Sequence, residues 1–176
     1  LDRFISRFEK VQTADFTNMT YSYRSEEYFA VSEEINEYDE TSVFQAFSRF
    51  YPYLDYKDLF SGYPIGYLVE GSAFDQESIH EAPYRALVMI PKERLPLYSD
   101  QAIICRPAGN YVSGFVRGEI HHLKDFTKRF KAYLESANLQ IDGDIWELMW
   151  QDDVSTDQKE QQIFEVMLPV KERIPS

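Results

Sequence analysis

Apolar and polar positions along the chain recur in the same order twice, at an offset of about 80 residues. A strand-length run at 65–70 follows a loop that carries Gly62 and Pro64, and a similar run at 145–150 follows a loop with Gly143. Short apolar runs behind turn-forming residues are typical of β-strands. The shared offset indicates an internal repeat.

A second pair of strands and a pair of helices follow the same offset. Residues 86–91 resemble residues 164–169, and each run ends at a proline. Upstream of each strand pair, apolar residues recur at the spacing of an amphipathic helix. They are Val43, Phe44, Phe47, Phe50, Tyr51 and Leu54 in the first half and Leu123, Phe126, Phe130, Tyr133 and Leu134 in the second.

A further strand is predicted before each helix. It covers 27–35 in the first half and 101–120 in the second, where Pro107 and Gly109 should bend or break it. Each half thus has the order strand, helix, strand, strand. One such half alone would bury its helix and strands poorly. We therefore expect an α+β fold in which two pseudo-symmetric halves share an antiparallel sheet around a central ligand cleft.

The two halves are assigned to residues 19–97 and 98–176, which leaves residues 1–18 outside the repeat. Apolar residues in this leading segment fall on one helical stripe formed by Leu1, Phe4, Ile5, Phe8 and Val11. Two interpretations remain open for it. The segment is either the end of a helix that enters from an upstream domain or a helix that packs on its own domain.

The composition narrows the function classes. Eighteen Lys and Arg against 30 Asp and Glu give a net charge of −12, which argues against direct binding to nucleic acid, because such binding relies on clustered positive charge. The only cysteine, Cys105, forms no internal disulfide, so a reducing, cytoplasmic location is expected, and no apolar run is long enough to span a membrane. Aromatic residues make up 16% of the chain, which suits both a core and a pocket for a flat ligand.

One carboxylate stands out within a predicted strand. Alternation places Ile145, Glu147 and Met149 on one face of their strand. The repeat sets Tyr67 opposite Glu147, with Ile65 as its row neighbour. A carboxylate in an apolar row is costly unless a partner compensates it, and a ligand cation or donor would do so. The alternative is a structural pairing with a nearby Arg, Lys or Tyr.

A second group of aromatic residues lies on the strand before the second helix. Tyr111 and Phe115 share a face and would either line the pocket or pack on that helix. Neither a metal site nor a cofactor is expected, since the adjacent His121 and His122 would diverge on a helix. The sequence also lacks nucleotide-binding and common hydrolase motifs, and no catalytic residue is assigned.

Together, these motifs resemble the GyrI-like superfamily of effector-binding domains. The resemblance rests on Arg-Pro-Ala-Gly-Asn-Tyr at 106–111, Ile-Trp-Glu-Leu at 145–148, and Phe-Glu-Val-Met-Leu-Pro-Val at 164–170. It implies two strand-helix-strand-strand halves around a cleft, in which a pocket glutamate at the position of Glu147 faces cationic ligands between aromatic walls. Met149 departs from the pattern, because many relatives carry an aromatic residue there.

The resemblance implies a sensor domain of a MerR-type, multidrug-responsive transcription regulator, with a small hydrophobic or cationic ligand as its partner. DNA would then be bound only through a domain upstream of residue 1, and the full-length protein would be a homodimer. Two other functions remain open. One is a hydrolase with Glu147 as general base and Tyr67 as donor, and the other is a gyrase-inhibitor-like interaction protein with an acidic surface.

Overall fold

The structure is a computed structural model, and it describes residues 2–36, 41, 45, 48, 50, 64–75, 82–100, 102–117, 123–151 and 162–175. Two α-helices, nine β-strands and two short 3-10 helices are defined within these residues. The α-helices are α1 (Asp2–Gln12) and α2 (Leu123–Ser136), and the 3-10 helices cover Gly71–Asp75 and Lys92–Tyr98. The strands are β1 (Thr20–Arg24), β2 (Glu27–Ile35), β3 (Ile65–Val69), β4 (Tyr84–Ile90), β5 (Ile103–Arg106), β6 (Gly109–Arg117), β7 (Leu139–Ile141), β8 (Ile145–Gln151) and β9 (Ile163–Glu172).

The sheet is antiparallel and has the order β1-β6-β9-β8-β3-β4-β2-β5, and the short β7 pairs with the end of β9. Read from the centre outward, this order is symmetric. Strands β8, β9 and β6 of the second half mirror β3, β4 and β2 of the first half. The expected α+β fold with two repeated halves sharing one antiparallel sheet is therefore confirmed.

The two halves join where β3 pairs with β8. Tyr67 lies opposite Glu147, and the pairs Ile65–Met149 and Val69–Ile145 flank it symmetrically. Residues 67 and 147 also occupy equivalent positions of the sequence repeat. The pseudo-two-fold axis therefore passes through the Tyr67–Glu147 pair, and the two side chains lie on the same face of the sheet, as the alternation predicts.

The first strand of each half pairs with the other half. Strand β1 pairs with β6, and β5 pairs with β2. The expected break in 101–120 is confirmed, because the chain leaves β5 at Arg106 and re-enters the sheet at Gly109. Strands β1 and β7 were not expected from the sequence. Both are short, with five and three residues, and pairing with a neighbouring strand stabilises them more than their own hydrophobic pattern does.

The two faces of the sheet carry different cores. Helix α2 places Phe126, Phe130 and Leu134 on the face that carries Ile145 and Val166, which we call the α2 face. The opposite face carries Trp146, Leu148, Met167, Phe29 and other apolar residues, and we call it the α1 face. Phe29 of β2 and Trp146 of β8 lie 5.3 Å apart between ring centroids although two strands separate them in the sheet, which indicates that the sheet curls around the α1 face.

Both helices follow from local sequence signals. The stripe of α2 recurs every four residues, and the helix stops where Asn138 adopts a positive φ of 56°, a common helix C-terminal conformation for Asn. Helix α1 confirms the predicted leading helix, and it lies against β8. Its stripe residues Ile5 and Phe8 are 48% and 62% exposed. The predicted helix of the first half lies mostly outside the described residues, although Phe50 packs on the core near Ala86.

The junction between the halves depends on a glycine. A Cβ atom added to Gly66 of β3 would collide with the backbone carbonyl oxygen of Glu147. We expect Gly66→Ala to lower the free energy of unfolding by roughly 1–3 kcal/mol, because the β3 and β8 backbones would have to separate. Chemical denaturation measures this change. Thr20→Ala on the exposed edge strand β1 serves as the control and should change stability by less than about 0.5 kcal/mol. Equal stability of the Gly66→Ala variant and the native protein would contradict the close approach.

Candidate functional site

Glu147 lies at the centre of the molecule, on the pseudo-two-fold axis. Its side chain is on the α2 face of β8 and is only 2% exposed. On one side its neighbour is Tyr67 of β3, and on the other side it is Val166 of β9. Ile145 and Met149, which precede and follow it on the same face, are also buried. The predicted apolar row around this carboxylate is thus present in the structure.

Aromatic rings surround this position on three strands. The Tyr67 ring lies 5.5 Å from the Tyr84 ring of β4, nearly edge to face at 78°. On its other side the Tyr67 ring lies 6.3 Å from the Phe164 ring of β9, at an interplanar angle of 30°. Since Tyr67 and Phe164 belong to the two strands that flank β8, their rings border the strand that carries Glu147. A cation placed there would face both a carboxylate and ring π-systems.

The carboxylate of Glu147 lacks compensation within the described part of the chain. Its Oε2 atom is buried and has no hydrogen-bond partner among the described residues. Burial disfavours the charged form and raises the pKa of Glu147 to about 8. At neutral pH the group is therefore mostly a neutral acid. It loses its proton readily only if a positive charge or a donor arrives beside it.

A second buried glutamate, Glu165, has the cationic partners that Glu147 lacks among the described residues. Glu165 of β9 is 1% exposed and lies on the α1 face, next to Leu148 in the β8–β9 register. Its Oε1 lies 3.3 Å from a guanidinium nitrogen of Arg24, and its Oε2 lies 3.2 Å from Nζ of Lys10. This carboxylate has the structural pairing that was the alternative for Glu147. Among the described residues, Glu147 has no comparable ion pair.

The structure brings together only part of the predicted site. Glu147, Tyr67, Ile145, Met149 and Ile65 share the α2 face around the junction. Tyr111 and Phe115 do share one face of β6, as predicted, but it is the α1 face.

Tyr111 and Phe115 therefore contact neither Glu147 nor α2. The Tyr111 hydroxyl donates to the carbonyl of Pro107 at 2.6 Å, and its ring belongs to the core of the α1 face. Phe115 packs edge to face on Phe16, with ring centroids 6.4 Å apart. The sheet separates both residues from Glu147 and from α2, so they do not pack on that helix.

Sequence reasoning missed Tyr84 and Phe164, which border the site. The repeat gives part of the signal, because Phe164 begins the run 164–169 that matches 86–91, whereas Tyr84 precedes its run. Strand pairing places Tyr84 opposite Val69 and Phe164 opposite Met149. Both therefore lie on the face of Glu147. Identifying them required the order of the strands in the sheet, which the repeat alone does not give.

Other chemistry is limited in the described part of the chain. No group of three or more His, Cys, Asp and Glu side chains there is arranged to hold a metal ion. The adjacent histidines at 121 and 122 lie outside the described residues. A groove at the C-terminal end of α2 contains several carboxylates but does not include Glu147. No described helix is long and apolar enough to cross a membrane.

The unpaired carboxylate should make stability depend on pH. Because the folded pKa of Glu147 is raised from 4.5 to about 8, the folded state binds the extra proton between these values. Its energetic penalty is thus absent below about pH 4.5, grows as pH rises, and is complete above about pH 8. We expect Glu147→Gln to be more stable than the native protein at pH 9 by roughly 2–5 kcal/mol, with the difference shrinking toward pH 5.

Urea denaturation across this pH range measures the effect. The matched control is Glu165→Gln, which alters an equally buried carboxylate that has cationic partners. It should destabilise the protein by roughly 1–3 kcal/mol, because the neutral amide loses the charge-assisted contacts with Lys10 and Arg24, which are themselves partly exposed. A pH-independent difference for Glu147→Gln would mean that Glu147 is ionised and paired in the folded state.

Comparison with known proteins gives matches in structure but not in sequence. No protein-family model matches the chain, and no curated protein is similar to it in sequence. The C-terminal domain of EcmrR superposes with a TM-score of 0.68 at 9% identity, over 88% of this chain and 98% of that domain. In the EcmrR–DNA complex the match covers 97% of this chain with a TM-score of 0.66 at 10% identity. The chain spans 64% of the length of that EcmrR chain.

Two further proteins share the fold. A hydrolase from Listeria innocua matches with a TM-score of 0.60 at 14% identity, over 95% of this chain and 98% of that one. SAV2435, solved bound to tetraphenylphosphonium, matches with a TM-score of 0.50 at 11% identity, over 88% of this chain and 94% of that one. The chain therefore has the fold of the EcmrR C-terminal domain, and the GyrI-like fold class expected from the sequence motifs is confirmed.

Proposed function

We propose that this chain is an effector-binding domain that takes a lipophilic cation against Glu147, next to the Tyr67 ring. The observation that carries the proposal is the buried Oε2 atom of Glu147, which has no hydrogen-bond partner in the described part of the chain. Evolution of a fold rarely leaves a carboxylate buried and uncompensated without a functional reason.

The physical chemistry of the site favours a cation over an anion or a polar neutral ligand. A positive charge restores the compensation that burial removes, and aromatic faces add cation–π attraction without requiring hydrogen bonds. An apolar cation also loses less hydration than an ammonium or a metal ion on entering such a site. SAV2435, which has the same fold and binds tetraphenylphosphonium, supports this ligand class.

We further propose that the domain serves a MerR-type, multidrug-responsive regulator in the cytoplasm. EcmrR, whose C-terminal domain has this fold, occurs in a complex with DNA. The net charge of −12 makes the described domain a poor DNA ligand, so DNA would be bound by an upstream domain. Residues 1–18 would then form the end of a linker helix, residues 19–97 and 98–176 the two sensor halves, and the full-length protein a homodimer.

A hydrolase is the second proposal, supported by one feature of the same site. Glu147 has a pKa of about 8, which suits a general base near neutral pH, and the Tyr67 side chain lies beside it as a possible proton donor. The fold is also that of the Listeria innocua hydrolase. Turnover of an aryl ester or epoxide, lost in Glu147→Gln, would favour the enzyme, whereas stoichiometric binding without turnover favours the sensor.

Cation binding should release a proton. A bound cation lowers the pKa of Glu147, so the affinity for tetraphenylphosphonium should rise about tenfold per pH unit below pH 8 and level off above it. Calorimetry in buffers of different ionisation enthalpy measures both the affinity and the released proton. The neutral triphenylphosphine oxide should bind with little pH dependence.

Substitutions separate the charge from the surrounding fold. We expect Glu147→Gln to weaken tetraphenylphosphonium binding by roughly 1–3 kcal/mol, the value of a charge-assisted contact, and to abolish its pH dependence. Tyr111→Phe is the control, because its hydroxyl lies on the α1 face and should not affect the ligand. Equal losses for the cation and the neutral oxide in Glu147→Gln would show that Glu147 supports the fold without recognising charge.

A further inference from the structure

Helix α1 is attached to the α1 face of the strand that carries Glu147. It lies against β8, and near its end Lys10 makes two contacts. Its Nζ atom lies 3.2 Å from Oε2 of Glu165 and 4.8 Å from the centroid of the Trp150 ring. The Lys10 side chain is 31% exposed, whereas that of Glu165 is 2% exposed. The ion pair therefore lies at the boundary between solvent and core, where it is stronger than a surface pair.

The buried end of this ion pair makes it important for the position of α1. The described cationic partners of the Glu165 carboxylate are Lys10 and Arg24, and Arg24 also donates to Oγ of Ser113 at 3.0 Å. If α1 moved away, Glu165 would keep its burial but lose one of these two cations. A buried carboxylate with incomplete compensation is costly, so the position of α1 and the geometry around Glu165 are energetically linked.

The contacts of Lys10 are strand neighbours of the candidate site. Trp150 follows Met149, and Glu165 lies between Phe164 and Val166. Because successive residues of a strand point to opposite faces, β8 and β9 carry the site on the α2 face and the contacts of Lys10 on the α1 face. The candidate site and the attachment of α1 thus lie on opposite faces of the same short backbone segments.

The ladder between these strands is irregular at this point. The register of β8 against β9 shifts between Met149 and Gln151, across Trp150. Bulges of this kind redirect side chains and occur frequently beside functional sites. Met149 and Phe164, which lie beside Glu147 on the same face, are 7% and 3% exposed and therefore closely packed. Closely packed interiors transmit strain, so a displacement of either side chain would also act on Trp150 and Glu165, the next residues along the two strands.

We propose, on the basis of the function proposed above, that α1 is the output element of this domain and that Lys10 is its positioning residue. A cation that binds beside Glu147 displaces Met149 and Phe164, which shifts Trp150 and Glu165 and weakens the attachment of α1. Coupling of this kind is reciprocal. Loosening α1 therefore strengthens cation binding by the same factor by which the cation loosens α1.

The test uses the whole chain with tetraphenylphosphonium as the probe. Hydrogen exchange of α1 amides should accelerate when the cation binds, while exchange in β9 does not. Lys10→Met, which keeps the aliphatic stem but removes the charge, should bind the cation at least about fivefold more tightly. Lys128→Met, on the exposed surface of α2, is the matched control and should bind like the native chain. A cation that binds without changing α1 exchange, with native affinity in Lys10→Met, would overturn the coupling and leave the binding function intact.

A ligand-free comparison tests the coupling even if the cation does not bind, a result that would contradict the proposed function. Met149→Ala removes volume on the α2 face directly before Trp150, and it should accelerate α1 exchange at least about threefold relative to β9. Val69→Ala removes a buried side chain on the same face near the other end of β8, opposite Ile145, and should leave α1 exchange unchanged relative to β9. Equal α1 exchange in the two variants would overturn the proposal that the two faces communicate.

Discussion

The pairing of β3 with β8 is the constraint on which the rest of the structure depends. Each half alone provides a three-stranded sheet with an open central edge, and the antiparallel ladder around Tyr67 and Glu147 closes both edges at once. Because Gly66 allows the two backbones to approach closely, the ladder tolerates little change at this point. At the two outer edges of the sheet, β1 pairs with β6 and β5 pairs with β2, so each half also contributes a strand to the other half. The side chains at the junction are therefore held by both halves, which limits the conformations that they adopt.

The two buried glutamates show how the fold uses the same residue type for two purposes. Glu165 is compensated by cations from α1 and β1, and it fixes those elements on the sheet. Glu147 lies on the adjacent strand β8 and on the opposite face. Its Oε2 atom has no hydrogen-bond partner among the described residues. The difference follows from the surroundings and not from the degree of burial, which is nearly equal. Basic residues on the neighbouring elements thus decide which of the two buried carboxylates is neutralised.

Much of the fold could be predicted from the sequence because the repeat carries strong local signals. Residue spacing, which a single sequence records, predicts the strands at 65–70 and 145–150 and the stripe of α2. The residue types Pro107 and Gly109 predict the break between β5 and β6. Glu147 was identified for the same reason, since alternation alone places it in an apolar row. Alternation within β6 predicts that Tyr111 and Phe115 share a face but not which side of the curled sheet that face lies on, and the structure places it opposite the face of Glu147. Strands β1 and β7 could not be predicted from the sequence, because pairing with neighbouring strands stabilises them.

The difference between residues 67 and 147 breaks the symmetry of the scaffold at its centre. On the pseudo-two-fold axis two equivalent side chains meet, so identical residues there would place two carboxylates or two phenols side by side. Two adjacent carboxylates would repel each other and hold a shared proton, and two phenols would carry no charge for a ligand to recognise. With Tyr67 opposite Glu147, one half contributes a single ionisable group and the other an aromatic surface with a hydroxyl. The junction thus holds a single ionisable group, and a cation bound there, as proposed, would meet one charge and an aromatic ring that does not compete for it.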